Sequence, residues 1–251
     1  MMELATLVAY CDQLLEKDRF QDYCPNGLQL EGKAEVTRLI CGVTATQALI
    51  DEAIAWQADA ILVHHGFFWK GENPCILGMK KTRLQALLQH DISLLAYHLP
   101  LDAHPLYGNN ARLAKLLGIS VEGTFGDTQP AIGLYGKFET SLDSTALSQL
   151  IAQKLDRTPL HIEGTSKTIH SVAWCTGAAQ SYIEQAANLG VDAFISGEIS
   201  EQTVHIARER GIHYFAAGHH ATEMGGVMAM ADHLATEFEL ESHFINIPNP
   251  V

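Results

Sequence analysis

Two stretches of this sequence repeat one order of elements, and that repetition constrains the fold more than any single motif. Ile40-Cys41-Gly42-Val43-Thr44, a helical spacing over Ala48 to Trp56, and Asp59-Ala60-Ile61-Leu62 form the first stretch. Val172-Ala173-Trp174-Cys175-Thr176, a helical spacing over Ser181 to Leu189, and Asp192-Ala193-Phe194-Ile195 form the second. The offset is 132 residues before the helix and 133 after it. The next strands also match, Asp91-Ile92 to Ala96 against Gly211-Ile212 to Ala216. Short apolar runs joined through a helix are βαβ units, and their strands run parallel because the crossover returns the chain in the same direction. The expected fold class is α/β: two similar three-layer modules related by a duplication, with parallel-rich mixed sheets.

Around that frame, apolar periodicity predicts helices over Leu4 to Leu15, Lys80 to Gln89, Asn110 to Leu117, Glu201 to Arg210 and about Ala221 to Phe238. A helix over Ser144 to Leu155 is expected to carry Asp143 or Ser144 as its N-cap, and Phe244 to Ile247 to close as a strand. Between 118 and 133, Gly123, Gly126, Asp127, Pro130 and Gly133 predict a loop-rich junction. The expected division is 1–125 plus 218–251 as a metal-binding domain and 126–217 as a second, inserted α/β domain. A length of 251 residues suits one large or two small domains.

Lys and Arg number 16 against 29 Asp and Glu, a formal charge of −13. Affinity that rests on neutralising a phosphate backbone needs clustered cations, so a nucleic-acid partner is disfavoured, while a small phosphorylated ligand is not. No run of 18 apolar residues suggests a membrane span. The first twenty residues mix acids with apolar residues and read as an amphipathic helix, unlike a signal peptide. Five scattered cysteines without a CxxC predict reduced, mostly buried thiols and a cytoplasmic location.

The chemistry gathers where strands end, the place where open α/β sheets bind ligands. Ala60–Val63 runs into His64-His65-Gly66-Phe67-Phe68-Trp69-Lys70-Gly71, Ile92–Tyr97 into His98-Leu99-Pro100-Leu101-Asp102-Ala103-His104, and Ile212–Ala217 into Gly218-His219-His220-Ala221-Thr222-Glu223. A single histidine at a strand end is ordinarily solvated or packed. Three such ends carrying imidazole, two of them with carboxylate, point to first-row divalent metals. Adjacent histidines leaving a strand point different ways, so His64 and His65 suit two cations better than one. Glu223, four residues after His219, can bridge two metals, and Asp102 completes the set. The expected ligands of two divalent cations (Zn, Mn, Fe, Co or Ni) are thus His64, His65, Asp102, His219 and Glu223.

His98, His104 and His220 stand as alternative ligands or as partners that fix a tautomer. His161, His170, His213 and His243 read as surface or packing residues. Glu198 occupies the place of His65 in the second copy; it suits a water-activating base and equally a carboxylate at a helix start. Glu198 and His98 are the candidate catalytic residues. Phe67, Phe68 and Trp69 could stack a heterocycle or simply pack, and Lys70 could hold a phosphate. GxxxxGK[ST], G-x-S-x-G and H-E-x-x-H are all absent.

Tyr23-Cys24-Pro25-Asn26-Gly27-Leu28-Gln29, the three histidine segments, Asp192 to Glu198 and the terminal Ile247-Pro248-Asn249-Pro250 together resemble the Nif-three-like family, whose members carry the label GTP cyclohydrolase type 2 homologue. The resemblance runs over nearly the whole chain and is weakest from Gly118 to Lys167. It implies a dinuclear metal site at the five positions named above, a two-domain α/β subunit, and a toroidal homohexamer whose sites face an internal cavity. The expected function is metal-dependent hydrolysis, with a small nucleotide-like or heterocyclic substrate attacked by metal-activated water. The alternative is a non-enzymatic metal-binding ring that acts as a scaffold for a partner or for nucleic acid.

Overall fold

The two repeated runs become the centres of two sheets. A computed structural model describes residues 1–251 as two units, Met1–Leu101 with Gly226–Ile247 and Asp102–Gly225 with Pro248–Val251.

In the first unit five strands lie in the order Glu241–Phe244, Arg38–Thr44, Ala60–His65, Ser93–Ala96 and Gly27–Leu30. The first four are parallel and the last is an antiparallel edge. Ile40, Ile61 and Leu94 share one core with Leu49, Ile50 and Ala53 of helix Gln47–Ala55 and Leu84 and Leu87 of helix Gly78–Gln89. Strands covered on both faces read as unbroken apolar runs, hence Ala60-Ile61-Leu62-Val63. Thr46 Oγ1 accepts the Leu49 N–H and starts the crossover helix.

The second unit has six strands in the order Ile119–Phe125, Gly133–Leu142, Ile169–Cys175, Ala193–Ser196, His213–Ala216 and Leu160–Ile162. Its central three are parallel and the outer ones antiparallel. Val172, Trp174, Ile195 and Phe215 pack with Leu113 and Leu117 of helix Asn109–Leu117 and Leu147 and Ile151 of helix Ser144–Leu155. Buried Trp174 keeps its polar atom satisfied by donating Nε1–H to the Asn110 carbonyl at 2.9 Å. Asp143 is the N-cap, accepting the Ala146 N–H.

The pairing repeats between the units. Ala60 lies opposite Leu39 and Ala193 opposite Val172. Asp59 Oδ2 accepts the N–H groups of Thr37 and Arg38, and Asp192 Oδ2 those of His170 and Ser171. Positions 37, 38, 39, 59 and 60 thus each correspond to a residue 133 further on. The one-residue gap in the sequence alignment disappears, and the arrangement is compatible with duplication. Both sheets are mixed with parallel strands at their centres, and across the two the parallel pairings outnumber the antiparallel ones, as expected.

Several elements differ from the sequence reading. Ile119–Phe125 is a strand inside the stretch expected to be loop. Its Gly123 marks a register irregularity where a Cβ would lie 2.5 Å from Tyr135 Oη, so the glycine signals close strand approach. Gly27–Leu30, expected to begin as a turn, pairs with the strand before His98. The last strand is Glu241–Phe244, earlier than 244–247, because Ile245 and Ile247 pack on the core beyond the sheet. The last helix, His219–Phe238, begins two residues before Ala221. The unit boundaries also fall elsewhere than 125 and 217. Helix Asn109–Leu117 and strand Ile119–Phe125 both build the second unit, and helix His219–Phe238 begins in one unit and continues in the other. No helix is long and apolar enough to cross a membrane.

Candidate metal centre

The first unit supplies a cluster of imidazoles. His64 and His65 end the Ala60–His65 strand, and His98 follows the adjacent Ser93–Ala96 strand. Each offers a ring nitrogen, all within 4.8 Å of one another. The ring centroid of His64 stands 4.5 Å from that of His65 and 5.0 Å from that of His98. Their Nδ1 atoms are committed to oxygen. His64 Nδ1–H donates to the Tyr97 carbonyl at 2.9 Å, and His98 Nδ1–H donates to Asp22 Oδ1 at 2.7 Å. His65 Nδ1 lies 3.1 Å from Thr44 Oγ1. In the neutral rings of His64 and His98 this leaves Nε2 as the lone-pair nitrogen, the arrangement of histidines that bind metal.

The turn after His65 is close-packed. A Cβ on Gly66 would lie 2.2 Å from Gln29 Oε1, which accepts the Phe67 N–H. Phe67 is buried, Phe68 lies under Lys80 Nζ, and Trp69 stands edge-on to His98 at 5.1 Å. Of the three aromatics, Trp69 is the one beside the imidazoles.

The second unit supplies the carboxylates. Asp102 lies in the short helix Leu99–Ala103 and Glu223 in the first turns of His219–Phe238. Both are buried, at 5% and 2% exposure, and each offers a carboxylate oxygen within 4.8 Å of the other. Two such charges repel by about 3–4 kcal/mol at an effective dielectric constant of about 20, a sign that a divalent cation between them would reverse. Asp102 Oδ1 accepts Asn109 Nδ2–H and the Thr176 hydroxyl at 2.9 and 3.2 Å. Asn110 ties the same region together, donating to the Asp102 carbonyl and accepting the Thr176 N–H.

His219 sits between two carboxylates. Nδ1 is 2.6 Å from Glu198 Oε1, and Nε2 is 3.1 Å from Glu223 Oε2. Burial alone would lower its pKa, but Glu223 and then Glu198 outweigh that and push it up to about 9. The metal-free ring therefore carries a proton at Nε2, where a cation would bind instead. Gly177 makes room, since a Cβ there would lie 2.1 Å from Glu223 Oε1, and its φ of +68° suits glycine. Cys175 is buried beneath this group. Burial, then Asp102 and Glu223, hold its thiol well above the ordinary range, so it stays neutral.

Glu198 therefore stands behind His219, on the ring nitrogen that faces away from Glu223. His104 accepts the N–H groups of Leu106 and Tyr107 at Nδ1 and stacks on Tyr107. His161 and His213 form a cluster with Glu163, but hydrogen bonding accounts for it. His213 donates Nε2–H to the Ser166 carbonyl, its Nδ1 accepts from Gly164 and His161, and His161 stacks on Phe215 at 4.3 Å. Sequence reasoning passed over Asp22, Asn109, Asn110, Thr176 and Gly177. Their signal was weak: polar pairs and a Thr-Gly just past strands or before helices.

The donor set of imidazoles with fixed tautomers and buried carboxylates fits first-row divalent cations. The Duf34/NIF3 family profile matches residues 2–250. A protein of Pseudomonas aeruginosa named GTP cyclohydrolase 1 type 2 homolog is 53% identical, with 98% of each chain covered. Its namesake in Escherichia coli K12 is 50% identical over 99% of this chain and all of that one. Among solved structures, protein ybgI, described as of unknown function, superposes with a TM-score of 0.97 at 49% identity over the whole of both chains. TTHA1606 from Thermus thermophilus does so with a TM-score of 0.91 at 34% identity, again over both whole chains. On a match that spans all but its outermost residues, the chain belongs to the Duf34/NIF3 (NGG1p interacting factor 3) family.

Proposed function

We propose that the protein is a dinuclear-metal-dependent hydrolase acting on a nucleotide or related heterocycle. His64, His65, Asp102, His219 and Glu223 would hold the two cations. The observation that carries this reading is the shared commitment of Nδ1 to oxygen, which turns Nε2 towards the other donors in each unit. His64, His98 and His219 each donate Nδ1–H to an oxygen, and two buried carboxylates stand within 4.8 Å of each other. The relatives named GTP cyclohydrolase 1 type 2 homolog support a nucleotide-like substrate.

When bound, a pair of divalent cations lowers the pKa of water towards neutrality and polarises the scissile group. The chain's own residues do the rest. Glu198 and the Tyr97 carbonyl orient the rings of His219 and His64. His98 Nε2 accepts the proton given up by water, and Trp69 flanks the substrate beside it. Five protein donors shared by two cations would leave room for water and substrate, as catalysis requires. A ring of six subunits is part of the proposal. It is supported by Ile76, Leu77, Met79 and Leu88, which are all more than half exposed within one segment of the first unit.

Anaerobic purification with elemental analysis, followed by a metabolite screen centred on nucleotides, tests the reading. About two equivalents of metal per chain and turnover that vanishes in Glu223→Ala are expected. Protein that stays empty of metal in every preparation overturns it.

A further inference from the structure

We propose that Asp22 is a positioning residue that fixes the tautomer of His98, holding the proton on Nδ1 and leaving Nε2 as the accepting nitrogen beside His64 and His65. The segment that carries it, Asp22 to Gln29, contributes no expected ligand, yet it braces both imidazole-bearing turns. Asp22 Oδ1 accepts His98 Nδ1–H and its own neighbour's Tyr23 N–H, at 2.7 and 2.6 Å. Asp22 Oδ2 accepts Asn26 Nδ2–H and the Leu99 N–H, both at 2.9 Å. Asn26 Oδ1 accepts the His98 N–H at 2.7 Å, so backbone and ring of His98 are held from one side. Gln29 reaches the other turn through Phe67, and the Lys70 N–H donates to the Tyr23 carbonyl.

The chemistry of the four donors decides what residue 22 must be. All four contacts bring hydrogen towards the side chain, so only an acceptor at both positions satisfies them. The side chain is 2% exposed, so water does not substitute. Burial alone would raise the Asp22 carboxyl, but hydrogen bonds from His98 and Asn26 and the Leu99 N–H outweigh it and hold it at about 2. The acceptor is thus permanent at any working pH, and a permanent acceptor at Nδ1 selects one neutral tautomer. An asparagine at 22 offers oxygen on one side only. Its amide group then faces either His98 Nδ1 or the Leu99 N–H, and in the first case the ring must move its proton to Nε2.

The consequence for catalysis rests on the metal-dependent reading above, but the inference about the ring does not, and its test needs neither metal nor substrate. Metal-free protein labelled with ¹⁵N at histidine, at mildly alkaline pH, reports each neutral tautomer through long-range ¹H–¹⁵N couplings, with His98 assigned from His98→Gln. Wild-type His98 is expected as the Nδ1–H form, and Asp22→Asn as the Nε2–H form or an exchanging mixture. Asn26→Ala loosens the same segment without touching Nδ1 and is expected to keep the wild-type tautomer. An Nε2–H ring in the wild type overturns the proposal even if Asp22→Asn does not fold. So does an unchanged Nδ1–H ring in Asp22→Asn, or a tautomer lost equally in Asn26→Ala. Titration with Co²⁺ is read separately: wild-type protein that binds none removes the metal reading and leaves the tautomer result standing.

Discussion

Nδ1 of His219 lies 2.6 Å from Oε1 of Glu198, on the opposite edge of the ring from Glu223. That contact suits Glu198, expected as a base, to orienting the ring that we propose as a ligand. Carboxylates placed behind a metal-bound imidazole typically contribute a factor of about 10–100 in metal affinity. Glu198→Gln is expected to weaken metal binding by that factor, and His219→Ala by more. Competition against a chromogenic chelator measures both; equal affinity in Glu198→Gln and wild type would contradict the assignment.

Gly177 gives a second handle on the same carboxylate. A methyl group there would meet Glu223 Oε1 at 2.1 Å and His219 Nε2 at 3.2 Å. Gly177→Ala should therefore displace Glu223 and lower metal affinity at least tenfold. The backbone cost of alanine at positive φ adds about 1 kcal/mol to that. Chelator competition alongside urea unfolding of the metal-free variant separates the two effects. A large stability loss with intact affinity would mean that the neighbours, not Glu223, had given way.

Much of this was legible in the sequence because strand ends are marked by an abrupt change from apolar to polar residues. Leu62-Val63-His64-His65 and Ala216-Ala217-Gly218-His219 declare both the strand and the end where the candidate donors gather. What stayed hidden depends on contacts distant in sequence. Asp22 and His98 are 76 residues apart, and Thr176 and Asp102 are 74 apart. Neither pair leaves a periodic trace. Gly123 misled for a physical reason, since a glycine that admits a tyrosine ring across a strand pair looks like one that makes a turn.

The thiols offer a check on packing. Cys11, Cys24, Cys41 and Cys175 are buried and Cys75 is exposed. Burial pushes the thiols of Cys24 and Cys41 up to about 12, which leaves almost no reactive thiolate at neutral pH. One thiol per chain should react rapidly with a disulfide reagent, and Cys75→Ser should abolish the fast phase. A fast phase surviving in Cys75→Ser would place a second thiol at the surface.

Asp59 and Asp192 supply the pH dependence of stability. Each carboxylate accepts two backbone N–H groups at the start of the preceding strand, and Asp59 also pairs with Lys33 at 2.7 Å. Burial alone would raise both pKa values, but for Asp59 Lys33 with the Thr37 and Arg38 N–H groups, and for Asp192 the Ser171 and His170 N–H groups, lower them overall. A carboxyl depressed in the folded state contributes stability that is complete above its unfolded value of about 3.9 and is lost as the pH falls through the folded value. Asp59→Asn and Asp192→Asn should each cost about 2 kcal/mol at neutral pH, the scale of hydrogen bonds to a charged acceptor. Because the wild type loses this contribution on acidification and the variants never had it, the gap in urea midpoints should close as the pH drops below about 4. A gap that stays constant down to acid would assign the loss to packing and not to charge.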